Sequence, residues 1–158
     1  MDNSRSHQRI VYYPCCANDV DFPIKLMGVE NTKYIFCDIR SHRDWHKAKN
    51  SAATVKFLRM DAWVAIDKLP EIDILFYRRD GMSEGGSGVE VLGDEYLQRL
   101  LKKFPISGGK IITDGSNAFG CRLDYLKMGL VDCSGFKISF SPNQDLIKHD
   151  LMTFEIHK

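Results

Sequence analysis

The sequence predicts a single α/β domain built on one doubly wound, mostly parallel β-sheet. Along its 158 residues, short apolar segments alternate with segments of helical periodicity. That alternation implies right-handed crossovers and a parallel sheet covered by helices. The segments IVYYP and IDILFY are almost continuously apolar, as expected for strands buried on both faces. The chain length fits one domain, which we place at residues 9–158. We expect residues 1–8 to be extended or disordered.

Five segments have the composition of buried strands, being rich in β-branched and aromatic residues. They are residues 9–14, 32–37, 54–60, 72–77 and 110–113. The first ends at a proline, and polar residues follow the others. Two later segments, 136–140 and 151–157, alternate apolar and polar residues. We predict that these two form an antiparallel pair joined by residues 141–150, with the last strand antiparallel to the main sheet.

Helical segments fill the intervals between the strands. The first is DFPIKLM, with Asn18 or Asp19 as the predicted cap, Pro23 in the first turn and Gly28 at the end. In residues 41–53, Trp45 and Ala48 are placed to face a core. Further helices are predicted at residues 63–69, 94–104 and 123–128. In the 94–104 segment, four apolar side chains share one helical face: Leu97, Leu100, Leu101 and Phe104.

The composition excludes several classes of protein. Hydrophobic residues make up 44% and charged residues 27% of the chain, with a net charge of +1. The net charge gives no strong bias toward nucleic acid, and no apolar run reaches the roughly 20 residues of a membrane helix. The amino terminus lacks the apolar stretch of a secretory signal, so a cytosolic location is expected. The five cysteines lack the spacing of a structural zinc site, and we expect reduced thiols.

Polar residues follow each predicted strand of the parallel set. Because ligands of open α/β sheets bind outside the carboxyl ends of the strands, we place the functional site there. Asp, Asn and Ser are also common helix caps and turn residues, which explains any one of them equally well. The residues in question are Cys15, Cys16, Ala17, Asn18, Asp19, Asp38, Asp61, Arg78, Arg79, Asp80, Asp114, Ser116 and Asn117.

The charge of this edge indicates the kind of ligand. Five carboxylates face two arginines, so an exposed polyphosphate would be repelled unless Mg²⁺ intervened. Neither GxxxxGK[ST] nor GxGxxG is present, which gives P-loop and dinucleotide sites little support. A small molecule with ribose hydroxyls and a positive centre suits this edge better.

The order of these residues resembles the class I S-adenosylmethionine-dependent methyltransferase family, from about Arg9 to Lys158. The segment VYYPCCAND stands where that family has its glycine-rich cofactor loop, and IDILFYRRDG resembles its segment leading to the substrate. The resemblance implies S-adenosylmethionine as cofactor. By position, it implies that Cys15, Cys16, Ala17 and Asp19 of the strand-one loop contact the cofactor. It also implies that Asp38 is the acid that binds the ribose and that Asp61 is the acid near the adenine.

The chain departs from the family pattern in the cofactor loop. No glycine occurs between Val11 and Met27, although a cofactor approaches the backbone of that loop closely. Two further interpretations therefore stay open. One is a non-catalytic binding or regulatory module that kept the fold and lost the donor site. The other is a hydrolase using Ser83 or Ser116.

The acceptor side is predicted around strand four and the segment after it. Asp80, Ser83 and Glu84 are the candidates for orienting or deprotonating a methyl acceptor. Arg78 or Arg79 would hold a carboxylate or phosphate on it, the alternative being a surface ion pair with Asp80 or Glu84. Residues 81–88, with four glycines, are expected to act as a mobile lid.

Overall fold

A seven-stranded mixed sheet forms the centre of the molecule in the computed structural model, which describes residues 7–80, 87–131, 133 and 135–158. The strand order across the sheet is β3-β2-β1-β4-β5-β7-β6. The strands are β1 Arg9–Tyr13, β2 Thr32–Asp38, β3 Thr54–Arg59, β4 Ile74–Tyr77, β5 Gly109–Thr113, β6 Lys137–Phe140 and β7 Met152–His157. The first five are parallel, and β7 is antiparallel to both β5 and β6. The predicted fold class is therefore confirmed.

Five helices of the described residues lie in the intervals that the periodicity predicted, and a sixth lies where no helix was predicted. They are α1 Asp21–Met27, α2 Arg43–Lys49, α3 Ala62–Ala65, α4 Asp94–Leu101, α5 Arg122–Lys127 and α6 Gln144–Ile147. A single 3-10 turn, Ile66–Lys68, continues α3. Trp45 and Ala48 of α2 are buried, as their spacing predicted. Within the described part of the chain, no helix is long and apolar enough to cross a membrane.

The core is built from aromatic side chains on the central strands. Tyr12, Tyr34, Phe36 and Phe76 are fully buried, because strands covered on both faces expose neither set of side chains. Buried hydroxyls need partners, and the Tyr12 hydroxyl lies 2.9 Å from that of Tyr96 on α4. This rigid centre holds the carboxyl ends of the strands in fixed positions.

The connection between β1 and β4 creates the crevice of the fold. The chain passes from β1 outward to β2 and β3, and then returns to place β4 on the other side of β1. The loops after β1 and β4 therefore diverge from two adjacent strands, and a crevice forms at this reversal of strand order. Tyr13 at the end of β1 is in register with Phe36 on β2, so the strand-one loop lies beside Asp38.

One local prediction was wrong. The cap of α1 is Val20, without a side-chain hydrogen bond, because Asn18 and Asp19 direct their side chains to distant partners. Asn18 bonds to Asp44 of α2, and Asp19 bonds to Tyr13 and Arg78. The segment 141–150 is also more than a connection, since it contains the short helix α6 capped by the side chain of Asn143.

Candidate functional site

A cleft of about 360 Å³ opens at the carboxyl edge of the sheet, across the ends of β1, β2 and β4. Ligand sites of small molecules typically measure about 300–1,000 Å³, so the cleft is large enough to hold one. Its lining consists of Cys15, Ala17, Cys37, Asp38, Ile39, Arg40, His42, Met60, Asp61, Ala62, Arg79, Asp80, Ser87 and Val89. Of the predicted site residues, it brings together Cys15, Ala17, Asp38, Asp61, Arg79 and Asp80.

The loop after β1 contains no glycine, yet two of its residues adopt a backbone conformation that favours glycine. Cys15 has a φ of 55° and Ala17 a φ of 49°, a left-handed conformation that costs a residue with a Cβ roughly 1–2 kcal/mol. Backbone bonds to β2 hold this course, from Cys16 N to the Cys37 carbonyl at 3.0 Å. The indole of Trp45 donates to the Ala17 carbonyl at 2.8 Å. The loop is thus small and fixed, and it leaves the cleft open.

Asp38 fastens this loop to the end of β2. Its Oδ2 accepts from the Ala17 N–H at 2.9 Å, and its Oδ1 accepts from the Arg40 N–H at 3.1 Å. Each carboxylate oxygen has two lone pairs, so each can still accept one further bond from a ligand. His42 Nε2 lies 3.6 Å from Oδ1, beyond hydrogen-bond distance. The structure therefore gives Asp38 both a turn-forming role and remaining capacity toward the cleft.

Asp61 has a local role that the sequence allowed for. It caps α3, and its Oδ1 accepts from the Trp63 N–H at 2.8 Å. Ala62, next in the chain, also lines the cleft. Asp61 follows the end of β3, and Asp38 is the last residue of the neighbouring strand β2. The two carboxylates therefore flank the same side of the cleft.

Arg78 and Asp19 face each other away from the cleft lining. Arg78 Nε and Nη2 each donate to an Asp19 oxygen at 2.6 Å. The guanidinium carbon stands 3.7 Å from the ring centroid of Phe22, and Arg78 is only 7% exposed. Both side chains are thus occupied in joining the loop after β1 to the loop after β4. Cys16 is likewise buried.

Asp80 is the most heavily hydrogen-bonded carboxylate of the site. It is 8% exposed and accepts from the Tyr77 hydroxyl, from the Ser87 hydroxyl and from the Ser87 N–H at 2.8 Å. The Asn117 amide is 3.4 Å from Oδ2. Most of its lone pairs are therefore already used, and Ser87, which supplies two of these bonds, lines the cleft beside it.

Arg79 is the exposed arginine of the pair. It has a φ of 58°, and its N–H donates to Asp114 Oδ2 at 2.9 Å. Asp114 also accepts from the Ser116 N–H at 2.9 Å, so this carboxylate shapes the turn after β5. The Arg79 guanidinium lines the cleft and bonds to none of the described residues.

Burial keeps the cleft thiols protonated. Desolvation raises the pKa of Cys15 to about 12 and that of Cys37 to about 11, because a thiolate loses its hydration there. Neutral thiols are weak nucleophiles, so these cysteines contribute shape and polarizable surface rather than nucleophilic chemistry. No disulfide joins any of the five cysteines, all of which lie in the described part of the chain.

Two predicted residues lie outside the described residues, and several lining residues were not predicted. Ser83 and Glu84, together with most of the expected lid, belong to the undescribed segment 81–86. The unpredicted lining residues are Cys37, Ile39, Arg40, His42, Met60, Ala62, Ser87 and Val89. A sequence signal existed for Ile39 and Arg40, which follow directly on Asp38. Ser87 lies seven positions after Asp80, and no motif in the sequence indicated that it would line the cleft.

Comparisons of the whole chain support the fold. No family model matches the sequence, and no curated protein matches it. Solved structures do match at very low identity. A Streptococcus mutans protein assigned to the methyltransferases, solved in complex with SAH, shares 12% identity with a TM-score of 0.61, covering 95% of this chain and 88% of that one.

Two further structures give the same result. The precorrin-6y C5,15-methyltransferase of Geobacter metallireducens has a TM-score of 0.59 at 14% identity, covering 96% of this chain and 81% of that one. An rRNA methylase of Streptococcus thermophilus has a TM-score of 0.57 at 10% identity, covering 96% and 88%. The chain therefore has the Rossmann-like methyltransferase fold that the order of its residues resembled.

Proposed function

We infer that the chain binds S-adenosylmethionine in the cleft and transfers its methyl group to a small acceptor. The observation that carries this proposal is the course of the strand-one loop. Cys15 and Ala17 adopt left-handed backbone conformations, and Asp38 binds the Ala17 N–H. A loop without glycine thus follows the tight path that a close approach of the cofactor requires.

The residues of the cleft fit the chemistry of this cofactor. Asp38 has one lone pair left on each oxygen and would accept the two ribose hydroxyls. Asp61, Met60 and Ala62 would surround the adenine, with the small side chains of Cys15 and Ala17 next to the methionine part. The net negative charge of Asp38, Asp61 and Asp80 favours a ligand with a positive centre. Solved structures of similar fold include one in complex with SAH, which supports the same ligand.

Asp19 and Cys16 were predicted to contact the cofactor, but neither lines the cleft. The proposal therefore gives both residues a supporting role. Asp19 is bonded to Arg78, and Cys16 is buried beneath the loop. In this proposal both fix the loop that contacts the cofactor. The bound cofactor supplies a methyl group on a positively charged sulfur. Because such transfer depends mainly on alignment, the fixed loop matters more than any nucleophile.

Arg79 and Asp80 are the acceptor residues of the proposal. The Arg79 guanidinium is free among the described residues and would hold a carboxylate or phosphate of the acceptor. Asp80 would orient the acceptor once the acceptor replaces the Ser87 hydroxyl, and Ser83 and Glu84 remain candidates for the same task. Arg78 is left out of acceptor binding because Asp19 already takes up its guanidinium.

Calorimetric titration of the full chain with S-adenosylmethionine and with SAH tests the proposal. We expect saturable binding of both ligands. The Ser87→Ala variant is the matched probe of the acceptor side, since it removes the hydroxyl that bonds to Asp80 and leaves the Asp38 side chain unchanged. Unchanged SAH affinity in Ser87→Ala would agree with the assignment. Absence of SAH binding by the wild-type chain at millimolar concentration would contradict the proposal and favour the non-catalytic module.

A further inference from the structure

Positive charge is concentrated on one margin of the molecule. Residues 40–59 contain six lysines and arginines against one aspartate, a net charge of +5, whereas the whole chain carries only +1. The remainder of the chain is therefore net negative. We call this set the basic margin, and its members are Arg40, Arg43, Lys47, Lys49, Lys56 and Arg59. All six are exposed.

The fold places these residues along one edge of the sheet. Lys56 and Arg59 lie on β3, which is the outermost strand at this end of the sheet. Arg43, Lys47 and Lys49 lie on α2, which is held against β3 by the stacked rings of Trp45 and Phe57, 4.6 Å apart. Strand side chains alternate between the two faces of a sheet, so Arg59 lies on the face of Phe57 and α2, whereas Lys56 projects from the opposite face of this edge strand. The basic margin thus runs over α2 and around the edge of the sheet at β3.

Few of these charges are neutralised by the protein. Arg43 lies 3.4 Å from Asp44, but Asp44 also accepts the Asn18 amide. The other five side chains form no ion pair with any residue that the structure describes. Unpaired cations on a folded surface attract anions, and several in one patch attract polyanions most strongly.

A row of arginines connects the basic margin to the cleft. Arg59 ends β3, Arg40 follows the end of β2, and Arg79 follows the end of β4. Neighbouring strands are about 4.8 Å apart, so the row crosses roughly 14 Å of the carboxyl edge. Arg40 and Arg79 line the cleft. An extended chain of regularly spaced anions would be held by this row at its phosphates, while the carboxylates Asp38, Asp61 and Asp80 would keep phosphates out of the cleft itself.

We propose that the basic margin binds a single strand of nucleic acid, whose phosphates lie along it and whose next nucleotide enters the cleft as the methyl acceptor. This inference goes beyond the proposed function, because it replaces the small acceptor with one nucleotide of a strand, and it rests on the proposed methyl transfer for its second part. Because the cofactor fills most of the cleft in this proposal, only one exposed nucleotide, and not a duplex, would approach the acceptor side at Arg79 and Asp80. A membrane surface fits less well, because membrane binding also needs exposed apolar side chains. Residues 40–59, all of which are described, expose no large apolar side chain.

The test is fluorescence anisotropy of a labelled 12-nucleotide single-stranded RNA of mixed sequence, titrated with the full chain at several NaCl concentrations. The margin variant carries Lys47→Gln, Lys49→Gln and Lys56→Gln, none of which lines the cleft. The matched control carries Lys68→Gln, Lys102→Gln and Lys137→Gln, three equally exposed lysines elsewhere. Both variants lose the same net charge.

We expect the margin variant to bind the RNA at least about 10-fold more weakly at low salt, with a salt dependence reduced by about 2 in log–log slope. The control should stay within about 2-fold of wild type, because single exposed charges away from the contact act only weakly. Equal weakening of both variants would show attraction by net charge alone and overturn the proposal. So would an absence of RNA binding, or binding only to phosphatidylserine vesicles or to polyglutamate.

Titration with SAH separates this inference from the proposed function. The margin variant should bind SAH as wild type does. If wild-type protein binds SAH but not RNA, the basic margin has been misassigned and the cofactor proposal stands. If it binds RNA but not SAH, the cofactor proposal fails while the nucleic-acid surface stands.

Discussion

Asp19 and Arg78 form a two-pronged ion pair that joins the loop after β1 to the loop after β4. Both hydrogen bonds measure 2.6 Å, and the Tyr13 hydroxyl bridges the pair by contacting Asp19 at 2.7 Å and the Arg78 carbonyl at 2.9 Å. These two loops diverge at the point where the strand order reverses. The pair therefore sets the spacing between the two walls of the cleft.

Replacing Arg78 by methionine should destabilise the protein by about 3 kcal/mol, the lower end for breaking a buried pair, because the change leaves the half-buried Asp19 carboxylate with only the Tyr13 hydroxyl as a partner. Urea denaturation measures the free energy of unfolding. The matched control is Arg99→Met, which removes an ion pair with the exposed Asp67. That change should cost less than about 1 kcal/mol. Equal losses for the two variants would mean that the Asp19–Arg78 pair contributes no more than a surface pair.

Replacing Ala17 by glycine should stabilise the protein slightly, by about 0.5–1 kcal/mol. The φ of 49° at Ala17 is unfavourable for a residue with a Cβ, and glycine removes that cost. Thermal unfolding measures the effect. The control is Ala52→Gly, an exposed position outside the left-handed region, where glycine should lower stability. A loss of stability in Ala17→Gly would contradict the conformation assigned to the strand-one loop.

The buried thiols should make stability depend on pH in the alkaline range. The pKa of Cys15 rises from an ordinary value of 9.0 to about 12, so the unfolded chain releases this proton at lower pH than the folded chain. The stabilisation is complete below pH 9 and is lost as pH rises toward 12. Urea midpoints between pH 8 and 11 measure the loss. Cys15→Ala should flatten the decline, whereas Cys121→Ala, at an exposed thiol, should leave it unchanged.

Thiol chemistry also tests the absence of disulfides. Thiol counting under denaturing, non-reducing conditions should find five reactive groups, and three or fewer would contradict the structure. In the native protein, iodoacetamide should modify the exposed Cys121 before Cys15, because reaction requires the thiolate.

The sheet could be predicted from the sequence because its signals are local. Each parallel strand is an apolar run followed by a polar residue, and the alternating segments near the end mark the antiparallel pair. The same local signals placed Asp38 and Asp61 at the cleft, since both follow directly on strands. No long-range structural information was needed for these parts of the account.

The pairing of side chains could not be predicted, because partners lie far apart in the chain. Asp19 and Arg78 are separated by 59 positions, and their bond moves both residues away from the cleft contacts expected of them. The same bond explains why Asp19 does not cap α1. The Ser87–Asp80 contact likewise depends on how the chain returns after the glycine-rich segment, which composition does not specify.

Binding of SAH to wild-type protein and to Asp38→Ala, measured by calorimetry, tests the central claim most directly. Charge-assisted hydrogen bonds are each worth about 1.5–3 kcal/mol, so losing the Asp38 carboxylate should weaken SAH binding by at least about 10-fold. Asp67→Ala, which removes an exposed carboxylate far from the cleft, should bind as wild type does. The account predicts saturable wild-type binding and this loss in Asp38→Ala. Wild-type protein that fails to bind SAH at millimolar concentration, or Asp38→Ala that binds it equally well while remaining folded, would contradict it.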